Sequence, residues 1–439
     1  MRAKVPYLAL LVADTLSTLG SRISLLAIPW LVFVTTGSPT KMGIAAAAEM
    51  LPYVVTGVFA APLADRIGLR RTIIIANVGS MLAMAAIAAW SELDYLVLLA
   101  LVAIAGGLRG IGDRSKNAIN RPIAKAAGIP IVRMTALYEG FTRAAGLVGA
   151  PLGGVLIYWL GAAGAIWIDA ATFGICALLI IIWVKPPPPE PVPPNADGTP
   201  ATPPAKEPYF VALRGGFAHL VTDRLLFALV LMTTVTNLFT QAAAGVWIPL
   251  WVNDVLKSPA ALGLVAGAFA AGATLGSIGF VLVATKVPRY ATFVIGLIIG
   301  SAPRFIVMGL SHDLTLVLVV TFLAGLSMSA VNPIIGALMY ERVPMALQTR
   351  VFGLAAALSF IGIPLGGLLG GWSVDWLGLT PAILTGSVIF LAISLVPLLF
   401  REGWRGIAAP AKDPDAPATP VPDAAATQAA PQPAATGPR

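Results

Sequence analysis

Apolar residues fill about twelve long runs of this chain, and charged residues collect in the short gaps between them. The runs lie at roughly 7–35, 41–64, 71–91, 95–115, 134–160, 163–184, 225–252, 259–285, 290–310, 314–340, 349–374 and 380–400. About 20 apolar residues at a helical rise of 1.5 Å cross the hydrocarbon core of a bilayer. Inside lipid each backbone N–H and C=O must be satisfied within its own segment, so runs of this kind are helices. They do not alternate with period two, which excludes a transmembrane barrel. The pattern predicts an all-α polytopic membrane protein with twelve transmembrane helices.

Composition agrees. Apolar residues make up 58% of 439 positions and charged ones 11%, more apolar surface than one water-soluble core of this size can bury. The first run is too long for a cleaved signal peptide and carries no small-residue cleavage site, so it is expected to remain as the first helix. The single Cys176 lies in an apolar run, which leaves no disulfide framework and no metal cluster. No motif requires a cofactor. HExxH, a phosphate loop and an acyltransferase-like His/Asp pair are absent, and His219 and His312 fall in or near turns, so no enzyme is expected.

The net charge of +8 sits where membrane topology, and not nucleic-acid binding, would put it. Arg66, Arg70, Arg71, Arg114, Lys116, Arg121, Lys286, Arg289, Arg342 and Arg350 fall in even-numbered turns, and both ends are basic. Odd-numbered turns hold only Lys41 and Lys257. The positive-inside rule then puts both termini in the cytoplasm of a multi-pass cell (inner) membrane protein. Trp30, Trp90, Trp159, Trp167, Trp247, Trp251, Trp372 and Trp376 fall near the outer ends of their spans, where an interfacial belt is expected.

A Pro-rich segment divides the chain. The expected units are an N-terminal six-helix half at 1–184, a cytoplasmic linker at 185–214, a C-terminal six-helix half at 215–405 and a disordered cytoplasmic tail at 406–439. The halves share a repeat: GAPLGG at 149–154 and GIPLGG at 362–367, each followed by an outer WLG, at 159–161 and 376–378. Recurrence at matched places is what a duplicated six-helix unit produces.

Ionisable residues at bilayer depth are costly and therefore functional candidates. Arg22 in span one and Glu49 in span two are expected to pair. Glu139 and Arg143 stand four apart on span five, as do Arg109 and Asp113 on span four, and each couple can bridge along a helix. Asp14 reaches toward the cytoplasmic interface. Asp169 falls near the outer end of span six, as a cap or interface residue. Arg304 is the lone deep charge of the second half. There Thr233, Asn237, Thr240 and Gln241 share one face of span seven and would line an aqueous cavity. Titratable groups thus gather in the first half. Glu49 and Glu139 are the leading candidates for proton exchange, each beside an arginine, with Asp14 next.

The turn APLADRIGLRR (61–71) resembles the cytoplasmic motif of the major facilitator superfamily, with Asp65, Arg66, Gly68, Arg70 and Arg71 in the motif positions and Ala61 in place of its first glycine. AGLVGAPLGG (145–154) is similar to the superfamily's antiporter motif through Gly149, Pro151, Gly153 and Gly154, with the proline one place late. SPTKMGIAAAAEMLPYVVTGVFAAPLADRIGLRR (38–71), AIWIDAATFGICALL (165–179) and ERVPMALQTRVFG (341–353) look like the efflux branch that holds enterobactin, macrolide and Tap-type multidrug exporters. Where that branch often carries an acid in span one, this chain reads LGSRIS (19–24). The resemblance implies a monomer in the bilayer that exports amphipathic small molecules against protons, its halves rocking as a cytoplasmic latch at Asp65 breaks. Export of one metabolite, such as a siderophore or a self-made antibiotic, and nutrient uptake are the rival transport readings. A membrane protein without transport activity is the rival of another class.

Overall fold

A computed structural model describes residues 4–59, 61–89, 94–185 and 209–408. Trp90, most of the expected linker and the tail beyond 408 lie outside these residues. Inside the expected linker the chain is already helical from Tyr209.

The first half contains α1 (Val5–Thr36), α2 (Pro39–Phe59), the short α3 (Ala61–Ile67), α4 (Leu69–Ala89), α5 (Tyr95–Ala126) and α6 (Ile131–Trp183). The second opens with α7 (Tyr209–Thr222) and α8 (Arg224–Ala242). A wide π turn at Ala243–Trp247 then joins α8 to α9 (Ile248–Trp251). That turn absorbs Pro249, which can donate no hydrogen bond to the preceding turn. There follow α10 (Ala260–Val283), α11 (Arg289–Gly300), α12 (Pro303–Leu310), α13 (Leu314–Met328), α14 (Val331–Arg342), α15 (Gln348–Leu377), α16 (Leu379–Leu399) and α17 (Arg401–Trp404).

Ten described stretches are long and apolar enough to cross a bilayer. One of them, Gly140–Trp183, has the length for two passes and is broken at Gly161. The 21 residues of α2 reach about 31 Å and add another. Large apolar side chains such as Leu275, Ile278, Val281, Leu282, Val388 and Leu399 stand exposed, as a lipid-facing surface requires.

Both WLG turns share one backbone conformation: φ 73°, ψ 174° at Gly161 and φ 83°, ψ 163° at Gly378. Only glycine enters that region without strain, so the repeat marks two equivalent reversals of the chain. The packing repeats as well. In the first half α1 lies on α6 and α2 on α5; in the second, α8 lies on α15 and α10 on α13. The halves meet where α2 crosses α15 and where α6 crosses α10.

Both crossings are built from glycine. Gly43 abuts the backbone of Gly367 and Gly371, and Gly154 abuts Gly263, with no room for a Cβ at either place. The Asp375 carboxylate at the end of α15 also accepts the Thr40 N–H of α2 at 3.1 Å. All of these contacts lie in the half of the bundle that carries the WLG turns, hereafter the WLG side.

The expected tryptophan belt is only partly present. Trp159, Trp167, Trp372 and Trp376 are exposed, whereas Trp30, Trp247 and Trp251 are buried among other helices. Depth along a span does not fix which way a ring points, and these three turn inward to fill the core.

Candidate functional site

The chemistry of the first half is set by one helix crossing. Gly106 of α5 lies against the Glu49 carbonyl of α2, and Gly110 lies against that of Tyr53. Each pair is four residues apart, so small residues on one helix meet successive turns of the other and the backbones nearly touch. Arg109 stands between these glycines and is thereby delivered to Glu49, with Nη1 2.7 Å from Oε1. Its guanidinium also lies 4.8 Å from the centre of the Tyr53 ring. The pair is almost dry, with side chains 9% and 1% exposed, and Glu49 Oε2 has no partner among the described residues.

This corrects the expected pairing of Glu49 with Arg22. It also corrects the expected Arg109–Asp113 bridge, because Asp113 bonds Lys116 at 2.9 Å and accepts the Tyr53 hydroxyl at 3.4 Å. Lys116, expected in a cytoplasmic turn, lies within α5 and is 3% exposed; it binds Asp14 at 2.8 Å. Asp14 is therefore a buried ion-pair partner and not a residue reaching for the interface. Asp169 departs from expectation too. It is fully buried and accepts hydrogen bonds from the Ser24 and Thr172 hydroxyls, in space left open by Gly20. The side chains of Glu139, Arg143 and Asp65 lie outside the described residues, so the expected Glu139–Arg143 bridge and Asp65 latch do too.

The antiporter-like segment does two tasks with two helix faces. Gly149 and Gly153 sit against α1 at Arg22 and Ile23. Pro151 and Gly154 sit against α10 at Gly263 and Gly267. In the cytoplasmic-type motif, Gly68 takes a φ of 92° between α3 and α4, and Arg70 Nη2 donates to the Ile181 carbonyl near the end of α6 at 2.7 Å. Arg66 and Arg71 are exposed.

Beneath the glycine crossings lies a cavity of about 470 Å³. Arg22, Leu26, Thr142, Gly146 and Ala150 line it from the first half, and Thr240, Gln241, Phe269, Arg304 and Phe305 from the second. A smaller cavity of about 270 Å³ continues into the second half along Thr233, Thr236, Asn237, Ser277, Ser329 and Asn332. The expected polar face of span seven thus lines both spaces. Asn237 also donates to the Ser359 carbonyl at 2.9 Å, tying α8 to α15.

Sequence reading missed Tyr53, Lys116 and Phe269. Tyr53 had a usable signal in the small-residue spacing of GGLRG (106–110), which marks a close crossing beside an arginine, whereas the run of basic residues around Lys116 read as an ordinary turn. Phe269 had none.

A helical membrane protein of two pseudo-symmetric halves around a shared central cavity defines a class. Within it, the profile of the Major Facilitator Superfamily matches residues 10–257 and 230–435, and the chain belongs to that family. The chain is 27% identical over 409 residues to the multidrug efflux pump Tap of Mycobacterium tuberculosis, covering 90% of this chain and 93% of that one. It is likewise 27% identical over 401 residues to Tap of Mycolicibacterium fortuitum, with the same coverage. Among solved structures it superposes on a bacterial homologue of the human lysosomal transporter Spinster in an inward-facing, unoccupied conformation. The TM-score is 0.71 at 18% identity, over 94% of this chain and 99% of the other. That likeness bears on the fold.

Proposed function

We propose that this protein is a secondary transporter of the cytoplasmic membrane that exports amphipathic small molecules in exchange for protons. The observation that carries the reading is the cavity lined by both halves and sealed on the WLG side by paired glycine crossings. Two halves that touch through small residues can rock about those contacts and expose one cavity to each side in turn. With the termini in the cytoplasm, the WLG side is the outer one and the cavity serves the inner side. The resemblance to Tap supports drugs as cargo and export as direction.

The buried charges of the first half support proton exchange. Among the described residues Asp14, Glu49 and Asp169 are buried with Arg109 and Lys116, so full ionisation leaves one negative charge in excess. One bound proton cancels it in a medium where uncompensated charge is expensive. Glu49 is the acid best placed to take that proton, because protonation would release Arg109 close to the cavity residue Arg22. Glu139 and Asp14 remain the further candidates, and Asp65 the gating residue.

Everted vesicles from an efflux-deficient host test this. An imposed proton gradient should drive accumulation of a drug to which the protein confers resistance, and Glu49→Gln should abolish accumulation while sparing downhill exchange, both measured per amount of folded protein. Asp65→Asn should slow both at normal membrane abundance. Accumulation that ignores the gradient would remove the antiport reading, and absence of exchange for every drug in the panel would remove drug export.

A further inference from the structure

The cavity holds more hydrogen-bond donors than the protein itself satisfies. Arg304 is 8% exposed, packed between the rings of Phe269 and Phe305 with its guanidinium carbon 4.5 and 4.3 Å from their centres. It has no acid partner among the described residues, and its Nε bonds to nothing. Gln241, also 8% exposed, lines the same space and has a buried Nε2 without a bond. From the opposite half Arg22 is exposed into the cavity and makes no ion pair among the described residues. No carboxylate occurs among the described lining residues. Arg109 stands behind Arg22, but its charge is already matched by Glu49.

A buried donor left unmade costs free energy, and an unpaired cation at bilayer depth costs more. In one helical bundle such a cation survives when something arrives to neutralise it. The remaining walls are apolar and aromatic, and the volume suits a molecule of drug size.

We propose that this cavity binds anionic amphipaths: a carboxylate-type head held between Arg22 and Arg304, with Gln241 donating to it, and an apolar or aromatic body against Phe269, Phe305 and Leu26. The head bridges the two halves, so its binding draws them together. Span nine is broken just before Arg304, where α11 ends at Gly300 and α12 begins at Pro303. Broken helices are a recurrent device for presenting groups to a substrate at midplane. A cationic amphipath would add a third positive charge to the same space. The proposal names the substrate class of the transport site and rests on that reading.

The test uses the full-length protein in nanodiscs of zwitterionic lipid, empty nanodiscs as control, and three probes of matched shape: 1-naphthoate, 1-naphthamide and 1-naphthylmethylammonium. Calorimetric titration of the unmodified protein should show saturable naphthoate binding about tenfold or more tighter than naphthamide, with the ammonium weakest. Arg22→Gln and Arg304→Gln should each remove most of that preference while leaving naphthamide binding in place, and Arg304→Lys should restore part of it. Naphthoate binding absent, no tighter than naphthamide, or weaker than the ammonium overturns the proposal without recourse to any variant. Counterflow of the same probes in proteoliposomes separates the two readings. Charge-selective binding without counterflow supports the anion site and removes transport. Counterflow of the ammonium but not of naphthoate overturns the anion site and leaves transport standing.

Discussion

Replacing Glu49 by Gln should destabilise the fold, and replacing Glu49 and Arg109 together should largely undo the damage. The two groups meet at 2.7 Å in a nearly water-free crossing, with side chains 1% and 9% exposed. Breaking such a pair from one side leaves a buried charge without its counter-ion, at a cost of about 3–5 kcal/mol. Arg109 keeps its contact with the Tyr53 ring at 4.8 Å, worth about 0.5–2 kcal/mol, so the loss in Glu49→Gln falls near the lower end, about 3 kcal/mol. The converse variant, Arg109→Met, strands a carboxylate whose Oε2 already lacks a partner and should cost at least as much. In Glu49→Gln/Arg109→Met no charge is left behind, so the double variant is spared the cost of a stranded buried ion. The double variant should therefore be more stable than the sum of the single losses predicts, by about 2 kcal/mol or more. Unfolding in mixed micelles with increasing SDS, read by tryptophan fluorescence, yields the four free energies of this cycle. A Glu49→Gln protein as stable as the unmodified one would refute the reasoning, as would additive losses.

Three further outcomes follow from geometry. Gly161→Ala and Gly378→Ala should each cost about 1–3 kcal/mol through backbone strain, whereas Gly140→Ala, in helix with open space around it, should gain about 0.5–1 kcal/mol; equal melting of all three would contradict the shared turn. Gly154→Val should hold α6 off Gly263 and open the WLG side, so a cysteine placed at Ala150 should label faster with an impermeant maleimide from outside, and unchanged labelling counts against the crossing as a seal. Asp223, outside the bilayer at the start of α8, is raised by burial but held below its ordinary value overall by Arg342 at 2.7 Å and by the Leu225 and Leu226 N–H groups. Its contribution is therefore complete above the unfolded carboxylate value near ~3.9 and is lost as pH falls through the lower folded value, so the stability gap to Asp223→Asn should be constant from pH 7 to about 5 and close only in stronger acid.

The spans, the repeat and the family were legible in the sequence because each depends on patterns along the chain. Hydropathy over about 20 residues is a property of a segment alone, and GAPLGG and WLG recur as strings. The charge partners were not legible, because they depend on azimuth. Arg22 and Glu49 were matched by depth, yet the face of α2 that bears Glu49 is the one fixed against α5 by Gly106 and Gly110. Trp30, Trp247 and Trp251 show the same limit: their depth suited a belt, but their rings face inward. Lys116 was placed in a turn because a cation usually ends a span, whereas here α5 continues to Ala126 and two carboxylates keep the charge inside.

The repeat also explains why the two halves differ where they do. Gly106 meets the Glu49 carbonyl in one half, and in the other Gly325 of α13 meets the Phe269 carbonyl of α10 in the matched crossing. In both, glycine is required because two helices of one half bring their backbones into contact there. The side chain beside them answers to no such requirement. In the first half it is a carboxylate that neutralises Arg109; in the second it is a ring that packs on Arg304 and leaves that charge unmatched. A paired charge can respond to a proton, and an unmatched one to an incoming anion. The cation has moved as well, from span four in the first half to span nine in the second, so the proposed division of tasks would rest on two changes to one duplicated scaffold: a ring in place of the carboxylate, and an arginine on a different helix.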